Sequence, residues 1–485
     1  MKLLSIAIPC YNSQDYMAHC IESLLPGGED VEILIVNDGS KDDTAKIADE
    51  YAAKYPTIVK AIHKENGGHG SAVNTGIENA TGIYFKVVDS DDWVKEDAYL
   101  AILEKLNAPA REERLANLRE VLKTTEFPPM VPQYINNHIH TTYSFSPYSP
   151  TAAVYAARME GLCTAGIIDH DSISGAREFL AAAELVGMPV TVGMECRVSM
   201  DGTALQGRRT NNPDQAGVSY MTIQSVPHDK IEMLNAWFAP YRAARGRRNR
   251  AMVEKINALL PGIALDYDRD VLPLSEAKED GGVTERHLMY ALAKKMTQKA
   301  GKGQPMIDYL ASIGLSLSEK QKNQMLDTAY PFYEYDLLGI LKSAFVPKIY
   351  IDATDECPNV RDVAKLCKDI DALLCYAYLG DVTASVTGDK KAQKFEDEYL
   401  DDVIACIKSC GIRAVTYMPT RNTPEQLARL RRLCDENGLF QVSGEDINSP
   451  RQSFVIKAME NPMFSNLIDA TWKLIGHEKT GSAIC

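Results

Sequence analysis

Hydrophobic positions along the first hundred residues follow two alternating rhythms. Short continuous apolar runs, LLSIAIP (3–9), VEILIV (31–36) and TIVKAI (57–62), predict buried strands, and between them residues 17–25 and 44–55 carry helical spacing. Strands alternating with helices predict a parallel sheet. After Trp93 the texture changes: residues 110–123 place Leu115, Leu118 and Leu122 on one helical face with charges elsewhere, and FPPMVP (127–132) stops the helix. A domain boundary is therefore expected between Leu106 and Pro132. From Tyr134 strands and helices alternate again, and the apolar runs now end in residues that carry chemistry: NNHIH, AGIIDHD, VTVGMEC and FQVSGEDIN. Such residues collect at the carboxyl ends of strands in parallel α/β folds, barrels above all. Residues 206–348 are mostly helical in pattern and longer than any barrel connection requires, which predicts an inserted cap. The acidic run EDEYLDD (396–402) predicts a solvated helix face.

Length and charge narrow this picture. The 485 residues exceed one small module, and 45% hydrophobic with 24% charged residues is the balance of a globular chain with real cores. A net charge of -14 argues against a general grip on extended nucleic acid. Eleven scattered cysteines with no CxxC pair suit a reducing compartment. The apolar start is cut short at Pro9 with no cleavage site after it, and no run reaches the roughly 18 apolar residues of a membrane span. A soluble cytoplasmic protein is expected.

Four segments of the first hundred residues carry chemistry: IPCYN (8–12), VNDGSKDDT (36–44), NGGHGSAVNTG (66–76) and VVDSDDW (87–93). Each follows a strand-like run, so they would meet at one sheet edge. Asp89 and Asp91, two apart, could share one divalent cation with a diphosphate. The glycines would let backbone approach a ligand closely. In this order the four resemble the nucleotide-sugar-binding half of the family 2 glycosyltransferases. The resemblance implies that Pro9, Tyr11 and Asp38 line a nucleoside pocket and that Asp89 and Asp91 hold Mg²⁺ or Mn²⁺ and the diphosphate of a nucleotide-sugar such as a UDP-sugar. The family's acceptor half, with its catalytic base, does not follow.

In the remainder, His138 and His140 are two apart and face one side of an extended strand. Glu195 and Asp446, each ending another strand-like run, add carboxylates suited to Zn²⁺, Mn²⁺ or iron. HIHTTYS, IIDHDS, VGMEC and SGEDIN together resemble the polymerase and histidinol phosphatase (PHP) family of metal-dependent phosphoesterases over residues 132–460. The stretches RRNRAMVEKINALLPGI (247–263) and GGVTERHLMYAL (281–292) are similar to the helical insert of members that hydrolyse nucleotide and short oligonucleotide phosphates. The resemblance implies that His138, His140, Glu195 and Asp446 surround one ion and that His170 binds beside it. It also implies that His170 or Asp171 manages a proton, and that Arg286 and His287 reach from the cap to a phosphate. Phe145, Tyr378, Asn448 and Tyr220 or Met221 stand where the family has further ligands, so one well-held ion is expected rather than a cluster of three. Arg242, Arg245, Arg247, Arg248 and Arg250 could attract an anionic substrate.

The sequence thus predicts an α/β chain: a truncated Rossmann-like GT-A nucleotide-binding half (1–106), a helical linker (107–131) and a PHP-type distorted (β/α) barrel (132–485) with a helical cap insertion at about 206–348. The expected function is metal-dependent hydrolysis of a small phosphorylated substrate. Sugar transfer by the first module and a catalytically impaired metal- or phosphate-binding module are the alternatives.

Overall fold

The computed structural model describes residues 2, 4–25, 28, 31–82, 84–92, 96–382 and 394–482. Trp93, which ends the DSDDW segment, and Cys485 lie outside the described residues. The chain divides into two compact units, Met1–Glu104 and Lys105–Cys485.

The first unit is a four-stranded parallel sheet of β1 (Leu4–Cys10), β2 (Val31–Asp38), β3 (Val59–Lys64) and β4 (Tyr84–Val87), ordered β3-β2-β1-β4. Ile6, Ile8, Ile33 and Ile35 on the two central strands pack against Met17, Ile21 and Leu24 of the helix Met17–Leu24, which is why the apolar runs there are continuous. The helix Thr44–Lys54 adds Ala48 to this core, while His69–Asn79 lies against β1 and β2. Gly76 lets that last helix approach β1: a Cβ there would come within 2.5 Å of the Ala7 Cβ. β4 ends the sheet with Tyr84 and Phe85 exposed.

The second unit carries seven strands, β5 (Val131–Ile139), β6 (Leu162–His170), β7 (Val190–Ser199), β8 (Val218–Gln224), β9 (Leu373–Ala377), β10 (Ala414–Tyr417) and β11 (Phe440–Ser443), neighbours in that sequence. All pairs are parallel except those of β8, which runs antiparallel to both β7 and β9. A bridge between Ile139 and Ile447 brings the end of β5 to the segment after β11, so the sheet nearly closes into a barrel. The chain is therefore α/β throughout, a Rossmann-like parallel sheet followed by a barrel-like one.

Between β8 and β9 lie five helices, Ile231–Leu259, Glu285–Ala300, Gln304–Ser312, Glu319–Leu326 and Tyr333–Ile349, with a core of their own that includes Met252, Leu288, Leu292, Leu337 and Leu341. They start later than the Gln206 expected, because β8 falls within that stretch. The run EDEYLDD also differs from a solvated face. Glu396 is fully buried, accepting from the N–H groups of Leu379 (2.9 Å) and Gly380 (3.3 Å). Among the described residues no helix is long and apolar enough to cross a membrane. The described cysteines are all buried and none is in a disulfide.

Candidate functional site

β5 carries His138 and ends one residue before His140, so the two-residue period brings both to one face, and their rings lie 5.0 Å apart. β6 ends in His170, whose ring stacks on His140 at 4.7 Å, and β7 supplies Glu195. Glu195 Oε2 lies 3.7 Å from His138 Nε2, 3.8 Å from His140 Nε2 and 3.1 Å from His170 Nδ1. Asp446, just past β11, brings Oδ1 to 3.1 Å from His140 Nε2. Gly444 permits that approach, since a Cβ there would come within 2.5 Å of the His138 Cβ.

This donor set fits a metal ion. The Nε2 atoms of His138 and His140 are buried without a hydrogen-bond partner, a costly condition that a cation removes. Ligand atoms of His138, His140 and Glu195 all lie within 4.8 Å of one another, so the cluster can hold a divalent ion. The other nitrogen of His140 is committed: Nδ1 lies 3.2 Å from Ser144 Oγ, and Ser144 donates to Asp169 Oδ1 at 2.6 Å. Ser144 therefore accepts from Nδ1–H, which leaves the Nε2 lone pair facing the cluster. Asp169 also takes the Thr141 N–H (2.7 Å) and hydroxyl (2.6 Å), fixing the turn after β5.

The electrostatics are those of a coupled imidazole–carboxylate cluster: burial would lower His140, but Asp446 and Glu195 outweigh it and raise the ring above the usual imidazole range. Burial, with His140 and Arg245 nearby, pushes His170 well below the usual imidazole range, so it stays neutral. Loss of water on the side facing the cluster would raise Asp446, but the His140 and His138 charges outweigh it and hold this partly exposed carboxyl below its usual range.

Several expected residues take other duties. Asp171, at a left-handed φ of 56°, accepts from Arg245 Nη1 at 2.5 Å instead of facing the cluster unengaged. His287 is a buried helix cap: its Nδ1 accepts from the Thr284 N–H at 3.0 Å, which closes the start of Glu285–Ala300. Its ring packs edge-on against Phe145 at 4.9 Å. Arg286 donates to Asn448 Oδ1 (2.6 Å) and to its backbone carbonyl (3.1 Å). Tyr378 donates to Asp397 at 2.6 Å, and the Tyr220 ring lies 6.1 Å from that of His170.

The arginine run is not a free anion trap. Arg245 and Arg248 are buried mid-helix and join Arg197 in a network with Glu285, Glu356 and Asp171, including Arg245–Glu285 at 2.7 Å and Arg248–Glu356 at 2.6 Å. Burial alone would raise Glu285, but Arg245, Arg197 and Arg248 bring it well below its usual range. Arg242 donates to the Asp171 carbonyl at 3.0 Å and Arg250 pairs with Asp268 at 2.5 Å, while Arg247 is exposed.

In the first unit, Pro9, Tyr11, Asp38, Asp89 and Asp91 line one cavity of about 490 Å³. Asp38 is buried and accepts from the N–H groups of Gly67 (2.9 Å) and Gly68 (2.7 Å) and from Lys64. Burial would raise it, yet these donors keep it below its usual range. His69, which sequence reasoning did not single out, faces Asp89 with Nε2 2.8 Å from Oδ1. Its signal was present in the glycine-rich segment, where it is the one residue of NGGHG with a titratable side chain.

Known proteins resemble this chain in two different ways. Residues 5–132 match the family model Glycosyl transferase family 2. Among curated relatives, the uncharacterized glycosyltransferase EpsJ of Bacillus subtilis is 41% identical over 116 residues, 24% of this chain and 32% of that protein. Chondroitin synthase of Escherichia coli is 41% identical over 106 residues, 22% of this chain and 15% of that protein. The chain thus spans about a third or less of the length of these relatives. Among solved structures, a Bifidobacterium adolescentis protein described as a metal-dependent phosphoesterase is 21% identical, with 70% of this chain and 98% of that one covered and a TM-score of 0.45. TarS of Staphylococcus aureus, in complex with UDP-GlcNAc, is 29% identical over 22% of this chain and 32% of that one, with a TM-score of 0.19.

Proposed function

We propose that the second unit is a metal-dependent phosphoesterase acting on a small phosphorylated molecule, such as a nucleotide. The observation that carries this reading is the convergence of two buried imidazole nitrogens, each without a partner, on the carboxylates of Glu195 and Asp446. His138, His140, Glu195 and Asp446 would hold one Zn²⁺, Mn²⁺ or iron ion, with His170 beside it. Such an ion supplies a water of lowered pKa and polarises a phosphoryl oxygen. His170, beside the ion, is the group that would take up the water's proton, and Ser144 with Asp169 keeps His140 turned to the site. Lys342, at an exposed position of the helix Tyr333–Ile349, adds cationic character within electrostatic reach of Arg286 and Asp446.

Elemental analysis of the purified protein should give about one transition ion per chain. The ion should be absent from His138→Ala, and a panel of phosphomonoesters with added Mn²⁺ or Zn²⁺ should show turnover. A chain with neither metal nor turnover overturns the reading; metal without turnover favours a binding module.

For the first unit we infer nucleotide-sugar binding, supported by the shared cavity of Pro9, Tyr11, Asp38, Asp89 and Asp91 and by the family match. Calorimetry with UDP and Mn²⁺ should show binding that Asp91→Ala abolishes. Sugar transfer from a UDP-sugar, if measured and lost in the same variant, would extend this inference to catalysis.

A further inference from the structure

We propose that Arg286 and Asn448 form a positioning relay that aims Asp446 at the metal and ties that ligand to the cap. The inference rests on the metal reading above. His138 and Glu195 are on strands and His140 directly follows β5, with its N–H held by the Ile447 carbonyl at 2.9 Å; their side chains are at most 10% exposed, so the sheet and its edge set their directions. Asp446 differs: it follows β11 outside any strand and its side chain is 44% exposed. The bridge of its neighbour Ile447 to Ile139 fixes the Asp446 backbone, and a further contact is needed to aim the side chain.

Asn448 supplies that aim. Its Nδ2 donates to Asp446 Oδ1 at 2.5 Å, the same oxygen that faces His140 Nε2 at 3.1 Å. A carboxylate oxygen has two lone pairs, so one is held by the amide and the other is turned to the cluster.

An asparagine amide can be reversed end for end, and here Arg286 prevents it. The guanidinium has only donors, and its Nη1 bonds Asn448 Oδ1 at 2.6 Å, so the amide must present its NH₂ to Asp446. Arg286 Nη2 also holds the Asn448 carbonyl at 3.1 Å, and Gln452 Oε1 accepts the Asn448 N–H at 2.9 Å. With its oxygen engaged, Asn448 is itself unable to serve as a ligand.

The relay is anchored in the cap. Arg286 is the second residue of the helix Glu285–Ala300 and its guanidinium lies 5.2 Å from the centre of the Phe145 ring. Its neighbour Glu285 belongs to the buried arginine network. The conserved logic of such outer-shell contacts is that they tune affinity without touching the ion.

A second link between the same loop and the cap provides the control. Arg451 forms a two-pronged pair with Asp336 of the helix Tyr333–Ile349, at 2.8 and 2.7 Å, without touching Asp446. If the Arg286 contact were only a staple, breaking either link would have the same effect on metal.

The test uses the full chain, stripped with a chelator and titrated with Zn²⁺ against a chromophoric competitor, and with Co²⁺ while its visible spectrum is followed. Asn448→Leu and Arg286→Met should weaken Zn²⁺ binding roughly 10- to 100-fold and alter the Co²⁺ bands. Arg286→Lys, which keeps one donor, should recover most of the affinity, and Arg451→Met should bind as the wild type does. Wild-type affinity in Asn448→Leu, or equal weakening in Arg451→Met, overturns the relay while leaving the metal site standing. A wild-type chain that binds no Zn²⁺ or Co²⁺ instead overturns the metal reading itself.

Discussion

The two sheets of this molecule end in opposite ways. The first stops at β4, with Tyr84 and Phe85 exposed, whereas the second returns to its own beginning through the Ile139–Ile447 bridge. Their polar groups differ accordingly. In the open sheet Asp38 is already satisfied by Gly67, Gly68 and Lys64, and Asp89 by His69. In the closed sheet the Nε2 atoms of His138 and His140 are buried and unsatisfied. A closed sheet can hold donors from several strands against one point and exclude water from them, so it can store an unmet demand for a ligand. An open edge can shape a cavity, but its side chains settle among their neighbours.

The comparison can be broken most strongly at the arginine network. Arg248→Met leaves Glu285 and Glu356 short of a buried partner and should cost about 3–5 kcal/mol in denaturant unfolding of the second unit. A loss below about 1 kcal/mol would mean that the closed unit does not depend on this clamp. In the first unit, Gly76→Val forces a side chain onto Ala7 and should destabilise by about 1–3 kcal/mol, seen as faster proteolysis of residues 1–104 with metal content unchanged.

A smaller effect comes with pH. Burial lifts Glu478 from 4.5 to about 7, against the pull of His228, so the folded chain binds a proton that the unfolded chain has released. Its contribution is complete below about pH 4.5 and disappears as pH rises through 7. In metal-free protein the second unit should therefore lose about 1–3 kcal/mol of this contribution between pH 5 and 8, and Glu478→Gln, which keeps the bond to the Val192 N–H, should flatten that slope. An unchanged slope in the variant would remove Glu478 from the account.

What the sequence made legible was local. His138 and His140 share a face because a strand has period two, and the apolar runs of β1 and β2 are continuous because both faces are covered. What it concealed depended on distance along the chain. Arg286 meets Asn448 across 162 positions, and Arg248 meets Glu356 across 108, so no periodicity announces either pair. The arginine run, expected to attract an anion, falls inside a 29-residue helix, with Arg245 and Arg248 three apart on its buried side. The capping duty of His287 escaped notice for a chemical reason, since it fills a position usually held by Glu or Gln. β8 escaped notice because an antiparallel strand inside a parallel series breaks the alternation that identified the others.

The buried cysteines have a consequence for how the molecule can be watched. Cys10 and Cys20 belong to the first unit, and Cys163, Cys196, Cys357, Cys367 and Cys434 are among those of the second. Burial pushes Cys10, Cys20, Cys357 and Cys434 up to about 12, so none reacts readily until its surroundings open. A thiol reagent therefore reads opening events as a reaction rate, and each unit carries its own clock. The native chain comes with two sets of built-in timers, one for the open sheet and one for the closed.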